Sequence, residues 1–156
     1  MNLVLPYNNI HIKNFYYGKK MNNTIMTNSF FHNIYYSDEN IQLNNVIIKV
    51  GLERCNIKEY FNKYTCIFDL HINRELISNL ERIEKGILDN FTSNNHIYNS
   101  LQNEYKLTEQ FKKGDIKFTS NLERIHNENN TVNVMIKISG IWYNNNSKGI
   151  IFKITN

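Results

Sequence analysis

Residues 64–91 read YTCIFDLHINRELISNLERIEKGILDNF, and the change of period inside this stretch decides the fold class. Up to Ile72 the pattern alternates. Tyr64, Cys66, Phe68, Leu70 and Ile72 fall on one side, Thr65, Asp69 and His71 on the other, as in a strand with one buried face. From Glu75 to Phe91 the spacing turns helical, with Leu76, Leu80, Ile83, Ile87 and Phe91 on a single stripe. Asn73 is placed to cap that helix, and Glu81 and Lys85 form a favourable i,i+4 pair on its outer face.

Upstream, two β-prone stretches run from Ser29 to Tyr36 and from Ile41 to Val50, separated by the turn-favouring Ser37-Asp38-Glu39-Asn40. In the second, Ile41 and Leu43 share one face while Val46, Ile48 and Val50 share the other. This slip near Asn44-Asn45 is the signature of a β-bulge. Downstream, a weaker helical stretch covers about His96 to Gln110, the chain turns at Lys112-Lys113-Gly114, and a short strand spans Asp115 to Thr119. The strongest strand signal lies at Thr131 to Tyr143, where Val132, Val134, Ile136 and Ile138 alternate. Ser139-Gly140 reads as a bend within it. Asn-rich patches at 127–130 and 144–146 read as turns, and Ile150, Phe152 and Ile154 alternate in a closing strand.

The order is three strands, an amphipathic helix and a final strand pair. An RNA-recognition fold needs a helix after its first strand, and a parallel α/β sheet needs one after nearly every strand. The expected class is therefore mainly β (β-rich α+β), and the expected architecture a five-stranded antiparallel Greek-key barrel of the oligonucleotide-binding type, with its helix between strands 3 and 4. The 156 residues suit one such domain, with residues 1–24 an N-terminal arm or an extra strand; one Pro and six Gly leave no linker to divide it.

Composition narrows function only coarsely. The abundance of Asn, Ile, Lys, Tyr and Phe, all A/T-rich codons, points to an A/T-rich genome such as that of a parasite, an endosymbiont or a large DNA virus. A net charge of +4 and a pI near 9.0 fit attraction to polyanions without demanding it. Two cysteines, no signal-peptide pattern at residues 1–13 and no apolar run near the roughly 18 residues that span a bilayer lead to an expectation of a soluble, intracellular protein in a reducing compartment.

No catalytic residues, metal site or cofactor are expected. Cys55, Cys66 and His71 lack paired zinc-ligand spacing, and Cys66 reads as a small buried hydrophobe. No glycine falls in a phosphate-cradling motif, and Ser139-Gly140 lacks the flanks of a nucleophile elbow. One acidic constellation stays open: Asp115-Ile116-Lys117 matches the D-x-K half of many nuclease sites, with Asp69 as a second carboxylate. His71 and Asp69 at i,i+2 have no nucleophile to serve.

Single-strand binding needs aromatic faces to stack bases and lysines along the phosphate path. Both interleave here. The runs are Lys13-Asn14-Phe15-Tyr16-Tyr17-Gly18-Lys19-Lys20, Lys58-Glu59-Tyr60-Phe61-Asn62-Lys63-Tyr64, and Lys112 and Lys113 with Lys117 and Phe118. On the last strands Lys137, Tyr143, Lys148 and Lys153 are further candidates lining an outer face with Trp142, itself a candidate, and Lys49 is another. In Tyr16-Tyr17, Phe30-Phe31 and Tyr35-Tyr36 one ring of each pair should lie outside the core, because neighbouring strand residues face opposite ways. That makes Tyr16, Tyr17 and Tyr35 candidate stacking residues. An aromatic surface of this kind also suits a protein-interaction or virion component, with the rings as an oligomer interface.

The segment Ile136-Lys137-Ile138-Ser139-Gly140-Ile141-Trp142, followed by a turn and Gly149-Ile150-Ile151-Phe152-Lys153, resembles a C-terminal pattern of small replication-related proteins of nucleocytoplasmic large DNA viruses, "KISGIW", a polar or acidic turn, then "GLTYKF". Leu80-Glu81-Arg82-Ile83-Glu84 and Gln110-Phe111-Lys112-Lys113-Gly114-Asp115-Ile116-Lys117 look like the same family, so that the likeness covers about the C-terminal half. It implies a single-stranded-DNA-binding protein on an oligonucleotide-binding barrel, favouring DNA over RNA, with replication proteins as partners. The chain departs from the pattern at Tyr143-Asn144-Asn145-Asn146, where acids are usual, and at Ile151-Phe152. It ends in Ile154-Thr155-Asn156 without the acidic tail through which many single-strand binders recruit a polymerase.

Overall fold

The computed structural model describes residues 3–61, 63–119 and 130–155; the expected turn at 127–129 and His126 lie outside them. Among these residues the protein is mainly β with two α-helices. The strands are β1 (Val4–Pro6), β2 (Phe15–Tyr17), β3 (Met21–Asn22), β4 (Phe30–Ser37), β5 (Gln42–Asn44), β6 (Val46–Leu52), β7 (Asn56–Tyr60), β8 (Lys63–Ile67), β9 (Gln102–Glu104), β10 (Asp115–Thr119), β11 (Val132–Tyr143) and β12 (Ser147–Thr155). Helix α1 (Arg74–Asn94) lies between β8 and β9, and α2 (Lys106–Lys112) between β9 and β10.

Strand β11 organises the larger sheet. One edge pairs antiparallel with β12 along Met135–Tyr143. The other edge is shared: Val132–Ile138 pair with β6, and Gly140–Tyr143 with β4. The pairing with β12 shifts by one residue between Ile138 and Gly140, a bulge at Ser139 where the expected bend falls. Gly140 is required there, because a Cβ would come within 2.5 Å of the His32 carbonyl oxygen on β4. Short parallel strands β1 and β9 border β6 and β12, and β2, β3 and β5 pair with β4. A separate antiparallel sheet runs β10-β8-β7. These sheets do not close into a barrel, so the five-stranded closed architecture is replaced by an open sheet with a three-stranded companion. Nine strands share the larger sheet because several pieces of three residues or fewer add to its edges, and such pieces carry too little alternation to be read in advance.

Local chemistry explains where the expected elements start and stop. Strand β8 ends at Ile67, not Ile72, because the Asp69 carboxylate accepts the backbone N–H groups of His71 (2.8 Å) and Ile72 (3.0 Å), turning the chain into α1 and leaving Leu70 exposed. Those two hydrogen bonds hold the Asp69 carboxyl below the usual carboxylate range. Asn73 sits at the N-cap position, but its side chain does not cap. It donates to the carbonyl oxygens of Glu53 and Asp69 and accepts from Glu53 N–H, tying the helix start to the end of β6. The slip at Asn44-Asn45 is the break between β5 and β6, with Asn45 at φ 78°. In place of a helix over 96–110 come a 3₁₀ turn at His96–Tyr98, β9, and α2.

A single core joins the elements. Leu80, Ile83, Ile87, Leu88 and Phe91 of α1 are fully buried, as are Ile48, Val134, Ile136 and Ile138 of the larger sheet and Cys66 of the smaller. Each buried Val, Leu, Ile or Phe among them contributes about 1.5–3 kcal/mol through removal from water. Buried among them, the Glu84 carboxylate of α1 accepts the N–H groups of Leu107 (3.1 Å) and Thr108 (2.8 Å) and the Thr108 hydroxyl (2.6 Å). One acid thus satisfies orphan donors in the first turn of α2.

Candidate nucleic-acid interface

The bulge at Ser139 determines which side chains of β11 reach the surface. Before it, Val132, Val134, Ile136 and Ile138 face inward while Met135 and Lys137 face outward. The one-residue shift reverses the phase, so Trp142 is on the outer side and Tyr143 is buried. Across the sheet, Lys153 stands directly opposite Lys137, Ile47 lies opposite Lys137 on its other side, and Lys49 lies opposite Met135. Lys49 and Lys137 are therefore diagonal neighbours about 7–8 Å apart. All three lysines are exposed. The ion pairs among the described residues are Lys106–Glu104 (3.1 Å) and Lys112–Glu81 (2.9 Å), so no described carboxylate neutralises Lys49, Lys137 or Lys153. Directly opposed like charges cost a sheet stability, of the order of 1 kcal/mol at about 4 Å in water.

The same face carries the aromatic rings. Phe31 is paired with Trp142, and the Trp142 ring lies flat on Gly149, where a Cβ would approach Nε1 to 2.8 Å. Alternation along β4 puts Tyr35 on the side of Phe31, and Tyr35 is paired with Tyr16, which is 56% exposed. Beside Trp142 opens a hollow of about 630 Å³ between the 23–26 loop and β12, walled by Ile25, Met26, Phe31 and Ile151, with Glu104 and Lys106 on its rim.

Several expected contacts lie elsewhere. Tyr17 packs edge-on against Phe91, and its hydroxyl donates to the Ile87 carbonyl oxygen (2.9 Å) with Asn90 Oδ1 at 2.8 Å; burial raises its pKa. Tyr143 is buried, stacked on His32 and hydrogen-bonded to the Tyr98 hydroxyl (3.1 Å), and burial raises its pKa too. Lys148, paired with Tyr143 and so inward, is 2% exposed; its ammonium donates to the carbonyl oxygens of Tyr98 (3.1 Å) and Leu101 (2.9 Å), and burial lowers its pKa. The bulge puts Tyr143 and Lys148 inside, and long-range packing on α1 half-buries Tyr17. Lys20 lies over the Phe30 ring at 3.7 Å, Lys19 is exposed beside it, and Lys112 is held by Glu81, which in turn does not pair with Lys85. Lys113 and Lys117 line a groove with Lys106 and Phe152, while Lys117 and Lys63 lie on the outer side of the three-stranded sheet.

Phe31 and Lys106 join the surface without having been singled out for it. The double aromatic at Phe30-Phe31 signals that one ring faces out but not which, and Lys106, 5.8 Å from the Trp142 ring, is brought there by α2. Of the acidic constellation, Asp69 is engaged in its turn and Asp115 and Lys117 sit on β10, paired with Ile67 and Thr65. Among the described residues no three His, Cys, Asp or Glu side chains are grouped to hold a metal ion, and no helix is long and apolar enough to cross a membrane. No protein-family model, curated protein or solved structure matches the chain.

Proposed function

We propose that this protein is a non-catalytic binder of single-stranded DNA, acting in replication, recombination or repair of a large DNA virus genome. The observation that carries the reading is the row Lys49, Lys137 and Lys153 on an open sheet face, unneutralised by any described acid and continuous with Trp142 and Phe31. A phosphate backbone relieves the repulsion within the row, while rings on the same face offer stacking to unpaired bases, a combination indifferent to base identity. Duplex DNA presents no free base faces, so single strands are preferred.

Fluorescence-anisotropy titration of labelled oligo-dT and a matched duplex, at two salt concentrations, tests this. Tight binding of oligo-dT that weakens with salt and leaves the probe intact in magnesium supports it, and the K137E/K153E double variant then loses at least tenfold in affinity. Absence of salt-dependent binding sinks it. The exposure of Ile25 (92%) and Met26 (50%) at the hollow favours a second reading, a homo-oligomer interface, and a mass change on I25S/M26S in sedimentation would select that one.

A further inference from the structure

The outer side of the three-stranded sheet carries a charge pattern of its own. In register across β7, β8 and β10 stand Lys58, Thr65 and Lys117, and one row nearer the hairpin tip Tyr60 is paired with Lys63. The three lysines are exposed. The nearest acid in the sequence, Glu59, belongs to the opposite side, where its carboxylate accepts the Tyr64 hydroxyl (3.3 Å). Asp115 shares the outer side, one row from Lys117 and two from the tip, so the single described acid on this side lies at the end away from the rings.

The tip itself ends in two rings. Tyr60 is 73% and Phe61 81% exposed, their centroids 4.5 Å apart and nearly perpendicular at 87°. Phe61 takes φ 47°, a left-handed conformation that a hairpin turn normally assigns to Asn, Asp or Gly. A bulky aromatic there costs backbone energy and buries nothing, so neither folding nor the core accounts for it.

We propose that this face is a second polynucleotide-binding surface, its lysines holding phosphates and the Tyr60–Phe61 tip stacking unpaired bases of the strand engaged by the larger sheet. The inference rests on the single-strand reading above. It goes further in making the chain a two-point clamp, whose second contact is an intramolecular event once the first is made. Charge complementarity selects a polyanion over an apolar partner, and the mutually braced rings offer faces to bases at low ordering cost.

The test is anisotropy titration of the full chain with oligo-dT of 8 and 32 nucleotides, using wild type, K58E/K117E, Y60S/F61S and K137E/K153E, each checked for an unchanged thermal midpoint. Wild type should bind the longer oligonucleotide about tenfold tighter than length statistics give. Either small-sheet variant should remove that gain and leave the short-oligonucleotide affinity intact, whereas K137E/K153E weakens both. Wild-type length dependence in both small-sheet variants overturns the clamp while the single-strand reading stands. Equal losses at both lengths merge the tip with the first surface and overturn its separateness. Absence of binding by wild type removes the underlying reading itself.

Discussion

Glu84 shows what one buried side chain can do for an element that is not its own. Its carboxylate is acceptor-only, and the three groups facing it are all donors, so the chemistry fits the ionised form. Burial nevertheless outweighs those bonds and raises its pKa above the ordinary glutamate value. The sign then follows. The folded state binds the proton more tightly than the unfolded chain, so this group's contribution is fully present below the unfolded value and is lost as pH rises through the folded one. Asp69 runs the other way: its lowered pKa gives a contribution present above the unfolded value and lost as pH falls through the folded one. Glu84→Ala should cost about 2–4 kcal/mol by leaving the buried N–H groups of Leu107 and Thr108 unpaired, and its thermal midpoint should no longer carry the decline that sets in as pH rises from the ordinary glutamate value through the raised one. Denaturation followed at several pH values checks both. Equal slopes for wild type and variant would remove Glu84 as the source.

Among the elements, β11 carries the most consequence per residue. Its alternation through Ile138 was legible, as were the period change into α1, the short strand at Asp115–Thr119 and the interruption at Asn44-Asn45, because each is a local pattern. The consequence of the bend at Ser139-Gly140 was not. Whether a bend is a hinge, a corner or a bulge depends on the partner strands, and only the registers with β12 and β4 show that Tyr143 and Lys148 go inside while Trp142 stays out. Tyr17 was illegible for a similar reason, since its packing on Phe91 joins residues far apart in the chain. Gly140→Ala tests the element directly. The added methyl meets the His32 carbonyl, which is backbone and cannot swing aside, so β4 must separate from β11, at a cost of about 1–3 kcal/mol. Because Phe31 is carried on β4, the proposed oligo-dT affinity should fall with stability, whereas Gly51→Ala, whose methyl would meet the Asn133 side chain at 3.5 Å and Thr131 at 3.7 Å in ordinary contact, should change neither.

For the molecule as a whole, a net charge of +4 gives only a mild general attraction to polyanions, so the proposed binding rests on where the charges are placed. The core side of the larger sheet is filled with aliphatic side chains from β6, β11 and α1, whereas its other side holds lysines in register beside aromatic rings. Two charge-reversed proteins separate placement from amount. K137E/K153E and R82E/K85E both bring the formal charge from +4 to 0, two units per reversal, but Arg82 and Lys85 project from the solvent side of α1. If the sheet face holds the strand, only the first variant loses oligo-dT affinity, and its slope of log K against log salt becomes shallower by about 0.7 for each phosphate that the sheet no longer neutralises. If attraction is diffuse, the two variants lose affinity alike and their salt slopes coincide.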